Sequence, residues 1–192
     1  MYRVNDKPRV KKTAQLICQG LEACLDEKPL SKITVLDIHR KCFVSRATFY
    51  RLFDSVEDVL AYVCDEIFDK RLQAHQDMAD ASKKERALFV INIWLAHPKL
   101  IKAIIENNLG YLLYHTHIKH LDELKGLYPI PFSEPKKIDY FVGMLTAFMV
   151  GTLHVYYDHQ EKDCFEEAYA TVCDCISLID RALTGNKTGQ LE

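Results

Sequence analysis

The chain lacks the local signals on which most enzyme classes depend. It has no glycine-rich phosphate loop, no G-x-S-x-G and no H-E-x-x-H. P-loop phosphoryl transfer, acyl transfer at a nucleophile elbow and zinc proteolysis are therefore without their usual scaffolds. No residue is nominated as catalytic, and no cofactor is implied. Strand-like alternation and internal repeats are also missing, which removes sheet-based and repeat architectures. Charge of one sign does not dominate, since the net charge is only -2. The seven cysteines are an odd number without a regular framework, and no leader-like segment opens the chain. Those features fit a reducing cytoplasm.

Helical periodicity is what the sequence has instead. Ala14, Ile17, Cys18, Leu21 and Leu25 form one apolar stripe, which predicts a first helix over residues 10–26. Two short helices are expected at 35–41 and 45–53, then a longer one at 56–78. Further helices are expected at 84–96, 99–107, 111–126, 136–159 and 164–183, broken by Pro98 and by the proline-rich loop 128–135. The expected fold class is all-α. Charge is unevenly spread along it: residues 1–53 carry 11 Lys and Arg against 5 Asp and Glu, a net of +6. The remainder carries 14 against 22, a net of -8. A basic head on an acidic body suits a head that meets a polyanion.

The densest signals lie in residues 33–60. Thr34, Ser45 and Ser55 each place a hydroxyl at a helix start. Asp37 and Asp58 follow Thr34 and Ser55 by three residues, the spacing of a capping box. The middle helix has Phe49 and Phe53 on one side and Arg46, Thr48, Tyr50 and Arg51 on the other. A short helix with an apolar back and a cationic, hydroxyl-bearing front suits the major groove of DNA.

These residues, Thr34-Val-Leu-Asp-Ile38 and Val44-Ser-Arg-Ala-Thr-Phe-Tyr-Arg-Leu-Phe53, resemble the N-terminal domain of the tetracycline-repressor (TetR) family over about residues 10–60. The resemblance implies a three-helix helix-turn-helix head over residues 1–54 and a helical ligand-binding and dimerisation domain over 55–190. It implies a homodimer that reads a duplex DNA operator, responds to a small-molecule effector and usually acts as a repressor. DNA contacts would fall to Thr34, Ser45, Arg46, Thr48, Tyr50 and Arg51, with Tyr50 on a phosphate. Ile38, Val44, Phe49 and Phe53 would form the core of the head. Two positions depart from the family pattern. Phe43 stands where the turn usually has glycine, and Ser55-Val56-Glu57-Asp58 lacks the usual phosphate-binding lysine. A co-regulator on the same scaffold that binds a protein partner instead of DNA is the alternative.

In the body, aromatics cluster between Phe89 and Phe148. An apolar effector pocket is expected to use Asn92, Trp94, Tyr111, Tyr114, His115 and Phe148. Residues 140–157 carry no charge, but Thr146, Thr152, His154 and three tyrosines argue for a buried helix over a membrane span. Gly143, Ala147 and Gly151 line one ridge of it, and with Val172 and Ile176 of the last helix they make the expected dimer seam. His117 and His120 share a helical face, without the further ligand a metal site needs. Cys173 and Cys175 would point about 200° apart on a helix, which disfavours a shared metal or a disulfide.

Overall fold

The computed structural model describes residues 2–74, 83–127 and 134–159, and seven separate positions from Glu167 to Leu178. Among these residues every regular element is helical: nine α-helices and a short 3-10 turn at Leu30–Lys32, with no strand. The fold class is all-α, as expected. In order the helices are α1 (Pro8–Leu25), α2 (Val35–Cys42), α3 (Arg46–Leu52), α4 (Val56–Ala74), α5 (Lys83–Leu95), α6 (Pro98–Glu106), α7 (Tyr111–Lys119), α8 (Leu121–Leu127) and α9 (Pro135–His159). Two compact units divide the chain, residues 1–147 and residues 148–192.

Of the predicted stripe of α1, Ala14, Ile17 and Leu21 are sealed from solvent and Cys18 and Leu25 are partly buried, while Cys24, outside the stripe, is buried with them. Its closest neighbour is α2. A side chain at Gly20 would meet the Cys42 Cβ at 3.0 Å, the Ile38 carbonyl oxygen at 3.1 Å and Ile38 Cγ2 at 3.2 Å. A Cβ at residue 20 would have to push these neighbours back by a few tenths of an ångström. Thr34 starts α2 with a complete capping box: its Oγ1 accepts from the Asp37 N–H at 3.3 Å, and its own N–H donates to Asp37 Oδ2 at 2.8 Å. The helix ends at Phe43, which is left-handed at φ 56° and ψ 14° and donates its N–H to the His39 carbonyl at 2.9 Å. Phe43 is 89% exposed, so no packing offsets this conformation.

The 19 residues of α4 follow α3 within the first unit. It contributes Val59 and Leu60 beside the head and Cys64, Phe68 and Leu72 further on, all buried. Around Phe68 lies an aromatic and imidazole core. The Phe68 and Trp94 rings stack at 5.6 Å and 17°, while His117 and His120 tilt against Phe68 at 5.1 and 5.5 Å. The shared face expected for the two histidines therefore exists, and it is buried. Trp94 Nε1 donates to His117 Nε2 at 3.3 Å, and His117 Nδ1 lies 2.9 Å from Thr146 Oγ1. With Nε2 accepting, the ring is neutral and its proton sits on Nδ1, a tautomer assigned from this hydrogen bonding.

The single helix expected over 111–126 is two helices, broken at His120, whose N–H turns back to the Thr116 carbonyl at 3.1 Å. Apolar periodicity runs through the break and conceals it. α9 is long and apolar enough to cross a membrane by length and composition. Its Ile138, Val142 and Thr146 nevertheless pack inside the first unit, where Thr146 meets His117.

Three measurements follow from these strained and buried positions. Phe43→Gly should raise unfolding free energy by about 1 kcal/mol, the left-handed penalty of roughly 1–2 kcal/mol less the extra chain entropy of glycine. Gly20→Val should lower it by roughly 1–3 kcal/mol through overpacking. Denaturant titration of both variants checks the signs. The third concerns pH. Burial, with His120 close by, lowers the His117 pKa from 6.5 to about 4. Between those values the unfolded chain binds more protons than the folded one, so stability falls as pH drops through that window. The steepest slope due to this group is ~1.4 kcal/mol per pH unit. His97, lowered by burial and by Arg71, adds slope of the same sign. Urea titrations at about pH 7 and about pH 5 should show the loss, and His117→Phe should reduce the pH dependence.

Candidate nucleic-acid interface

α3 has seven residues, and its two sides differ sharply. Phe49 and Leu52 are buried, and Phe53 just beyond the helix is fully enclosed. Phe53 packs edge-on against Tyr62 of α4 at 5.8 Å, and Phe49 tilts against Phe53 at the same separation. This apolar back fixes the rotation of the helix. Arg46, Tyr50 and Arg51 consequently face solvent, and Thr48 is half-buried at their edge. Of the four residues expected at the core of the head, Ile38, Phe49 and Phe53 are buried and Val44 is partly covered.

The hydroxyls at the helix starts are taken up locally. Ser45 Oγ accepts from the Thr48 N–H at 3.2 Å and donates to Thr48 Oγ1 at 3.0 Å. Thr34 Oγ1 donates to Asp37 Oδ2 at 2.6 Å, so its hydroxyl and its N–H both face that carboxylate. Lys28 binds the same oxygen at 2.7 Å. The Lys28 ammonium and the Thr34 donors hold the Asp37 carboxyl well below the usual carboxylate range. At Thr34 the structure therefore supplies a cap bearing a carboxylate. The cationic and hydroxyl front that a polyanion would meet is Arg46, Tyr50 and Arg51, with Thr48 beside them.

Acid borders this front. Ser55 Oγ accepts from the Asp58 N–H at 3.1 Å, and Asp58 Oδ2 accepts from the Asp54 N–H at 3.0 Å. Glu57 is exposed at the start of α4, where Tyr111 reaches it with its hydroxyl at 3.4 Å. Sequence reasoning also missed a contributor on the far side of α3. Arg3, ahead of α1, donates its N–H to the Leu52 carbonyl at 2.7 Å and Nη1 to the Tyr50 carbonyl at 3.0 Å, and it pairs with the Asp54 carboxylate. It occupies the end of the helix, where carbonyls have no intrahelical partner. No local pattern announces a contact between residue 3 and residue 52.

The six residues expected to line an effector pocket are dispersed. Trp94 is sealed in the core beside His117. Asn92, Tyr111 and His115 are exposed, and Tyr114 is half-buried against His115. Phe148 belongs to the second unit, where it is partly exposed. A cleft of about 470 Å³ lies elsewhere, between α1, α4 and the turn joining α5 to α6. Leu21, Leu25, Leu60, Val63, Ile67 and Leu100 make its aliphatic floor, and Glu22, Asp26, His97 and Lys99 make its rim. Lys99 and Asp26 are ion-paired across it. Among the described residues no group of three or more His, Cys, Asp and Glu is placed to hold a metal.

On α9, Gly143 lies near Tyr114 of the first unit, whereas a side chain at Gly151 would meet nothing within 4 Å. Ala147 is exposed. Tyr140, Met144, Leu145, Phe148 and Val155 of the same helix are also exposed. Val172 and Ile176 lie outside the described residues.

No family model matches the chain, and no curated protein does. Solved structures do resemble it. The crystal structure of Lin0861 from Listeria innocua is similar with a TM-score of 0.66 and 17% identity, over 94% of this chain and 96% of that one. A TetR transcriptional regulator from Streptococcus agalactiae is similar with a TM-score of 0.52 and 21% identity, over 88% of this chain and 95% of that one. At such identities the likeness is one of architecture: this all-helical chain, with its helix-turn-helix near the N-terminus, has a TetR-like fold.

Proposed function

We propose that the chain is a cytoplasmic, ligand-responsive transcription regulator that reads operator DNA as a homodimer and represses by occluding it. It performs no reaction of its own. The observation that carries this reading is the orientation of α3. Phe49 and Leu52 are buried, which turns Arg46, Tyr50 and Arg51 outward on a helix short enough to enter the major groove. The arginines supply phosphate or guanine contacts, and Tyr50 a phosphate contact. The head comprises residues 1–54, and residues 55–190 serve effector binding and dimerisation.

Dimerisation is supported by α9, where Tyr140, Met144 and Val155 are 73, 62 and 56% exposed. Such an apolar face is costly in water unless another surface covers it. A second copy would close over it along the ridge of Gly143, Ala147 and Gly151, whose small side chains permit close approach. For the effector, the aliphatic cleft beside α4 offers a volume in the range of small-molecule sites. A ligand there would bear on α1 and α6 together.

The alternative is a co-regulator that binds a protein partner. Its support is Phe43, 89% exposed beside the front of α3, together with the acidic start of α4 at Glu57 and Asp58. Salt dependence separates the two readings. Binding to duplex DNA from the chain's own upstream region should weaken with salt at a log–log slope of about -3 to -4, for four arginines per dimer. Arg46→Ala removes two of those cations per dimer and should reduce the slope by about 2. Tyr50→Phe should weaken binding by about tenfold per head, roughly a hundredfold for the dimer, for one phosphate hydrogen bond in each head. Absence of binding even at low salt would sink the DNA reading and favour the protein partner.

A further inference from the structure

Two consecutive residues ahead of α1 are anchored at different points of the first unit. Tyr2 is anchored on α4 and α7, and its ring also tilts against Phe53 at 6.4 Å. Its ring packs edge-on against Tyr62 of α4 at 5.1 Å, and its hydroxyl donates to the Asp65 carboxylate, also on α4. Lys119, at the end of α7, donates to the Tyr2 oxygen at 2.6 Å and to Asp65 Oδ2 at 2.7 Å, and it lies 5.3 Å from the centre of the Tyr2 ring. Thr116 of α7 donates to the other Asp65 oxygen at 2.7 Å. Arg3 is exposed and tied to the head by the Tyr50 and Leu52 carbonyls and the Asp54 carboxylate.

We propose that Tyr2 and Arg3 form a strap that couples the α4–α7 seam of the body to the C-terminal end of α3, and so positions the helix that meets DNA. Adjacent Cα atoms are about 3.8 Å apart across a rigid peptide, so the two anchorages have little slack between them. Asp65 is the shared acceptor. It receives Tyr2 from the strap and Thr116 and Lys119 from α7, so sliding α4 past α7 disturbs Tyr2. A displaced Tyr2 then pulls Arg3 from the carbonyls that end α3. The cleft-lining residues Leu60, Val63 and Ile67 project from the opposite side of α4 to Asp65, given 100° per residue. An occupant of the cleft would therefore act on the strap through α4. Burial, and the neighbouring Asp65, push the Tyr2 phenol up to about 12, which keeps it a donor to Asp65 near neutral pH. Tyr2 and Arg3 are positioning residues: their contacts are internal, and their effect on DNA passes through α3.

The DNA consequence rests on the proposed DNA reading, whereas the mechanical coupling does not. Amide hydrogen exchange of the full-length protein tests the coupling first. Tyr2→Phe keeps the ring and deletes the hydroxyl, and Lys119→Met removes the far end. Each should speed exchange at Arg3 and Phe53 by roughly three- to tenfold, the worth of one or two hydrogen bonds, while α1 and α2 keep their protection. Lys119→Arg retains a donor to Asp65 and Tyr2 and should restore α3. Exchange that changes only around α7, or rises uniformly through the chain, overturns the strap. In DNA binding, Tyr2→Phe should weaken affinity, and Arg3→Met should weaken it with an unchanged salt slope, because Arg3 serves the end of α3 and no phosphate. A reduced slope would make the segment a direct DNA arm and overturn the positioning role. If the unaltered protein binds no DNA, the functional reading fails and the exchange result still decides the strap.

Discussion

Seven residues form α3, barely two turns, and helices that short do not persist in water on their own. Whatever this helix does depends on being held from behind. Phe49 and Phe53 supply that hold by entering the apolar layer that Tyr62 of α4 completes. Burying two phenyl groups is worth several kcal/mol on the scale of about 1.5–3 kcal/mol per side chain, more than the helix could supply from its own hydrogen bonding. Which way Arg46, Tyr50 and Arg51 face is therefore a consequence of where the two phenylalanines go.

The termini of the short helices are held by polar groups close in sequence. Asp37 satisfies the Thr34 N–H and hydroxyl while Lys28 neutralises it, and Ser45 receives the Thr48 N–H. Against that economy Phe43 stands out, with an unfavourable backbone conformation and an uncovered ring at the turn beside the outward face of α3. Strain of this kind concentrates where surfaces are used. It lies next to the one face of the head that carries both cations and an exposed aromatic hydroxyl.

In the core around Phe68, three buried polar side chains satisfy one another. Trp94, His117 and Thr146 bring α5, α7 and α9 to one point through two hydrogen bonds. The arrangement specifies a neutral imidazole, and so ties the packing of three helices to the protonation of one ring. Asp65 plays the corresponding part at the edge of the unit, where it gathers Tyr2, Thr116 and Lys119.

Helix positions, the caps at Thr34, Ser45 and Ser55, and the apolar back of α3 were legible from residue order, because each depends on groups three or four residues apart. The turn at Phe43 was marked only by the family resemblance, which usually has glycine there, and its left-handed backbone came from the structure. The break at His120 was not, since the apolar pattern continues across it. Trp94 reads as a pocket residue in sequence and is core in the structure, because an aromatic side chain looks the same in either setting until its neighbours are known. The cleft draws its walls from three segments between Leu21 and Leu100, and the strap joins residues 2 and 3 to residues 50 through 119. Chain order alone determined which stretches are helical and how they are capped, through local hydrogen bonding and periodicity. Only tertiary packing decided which faces meet and where space remains, because those depend on groups far apart along the chain brought within a few ångströms.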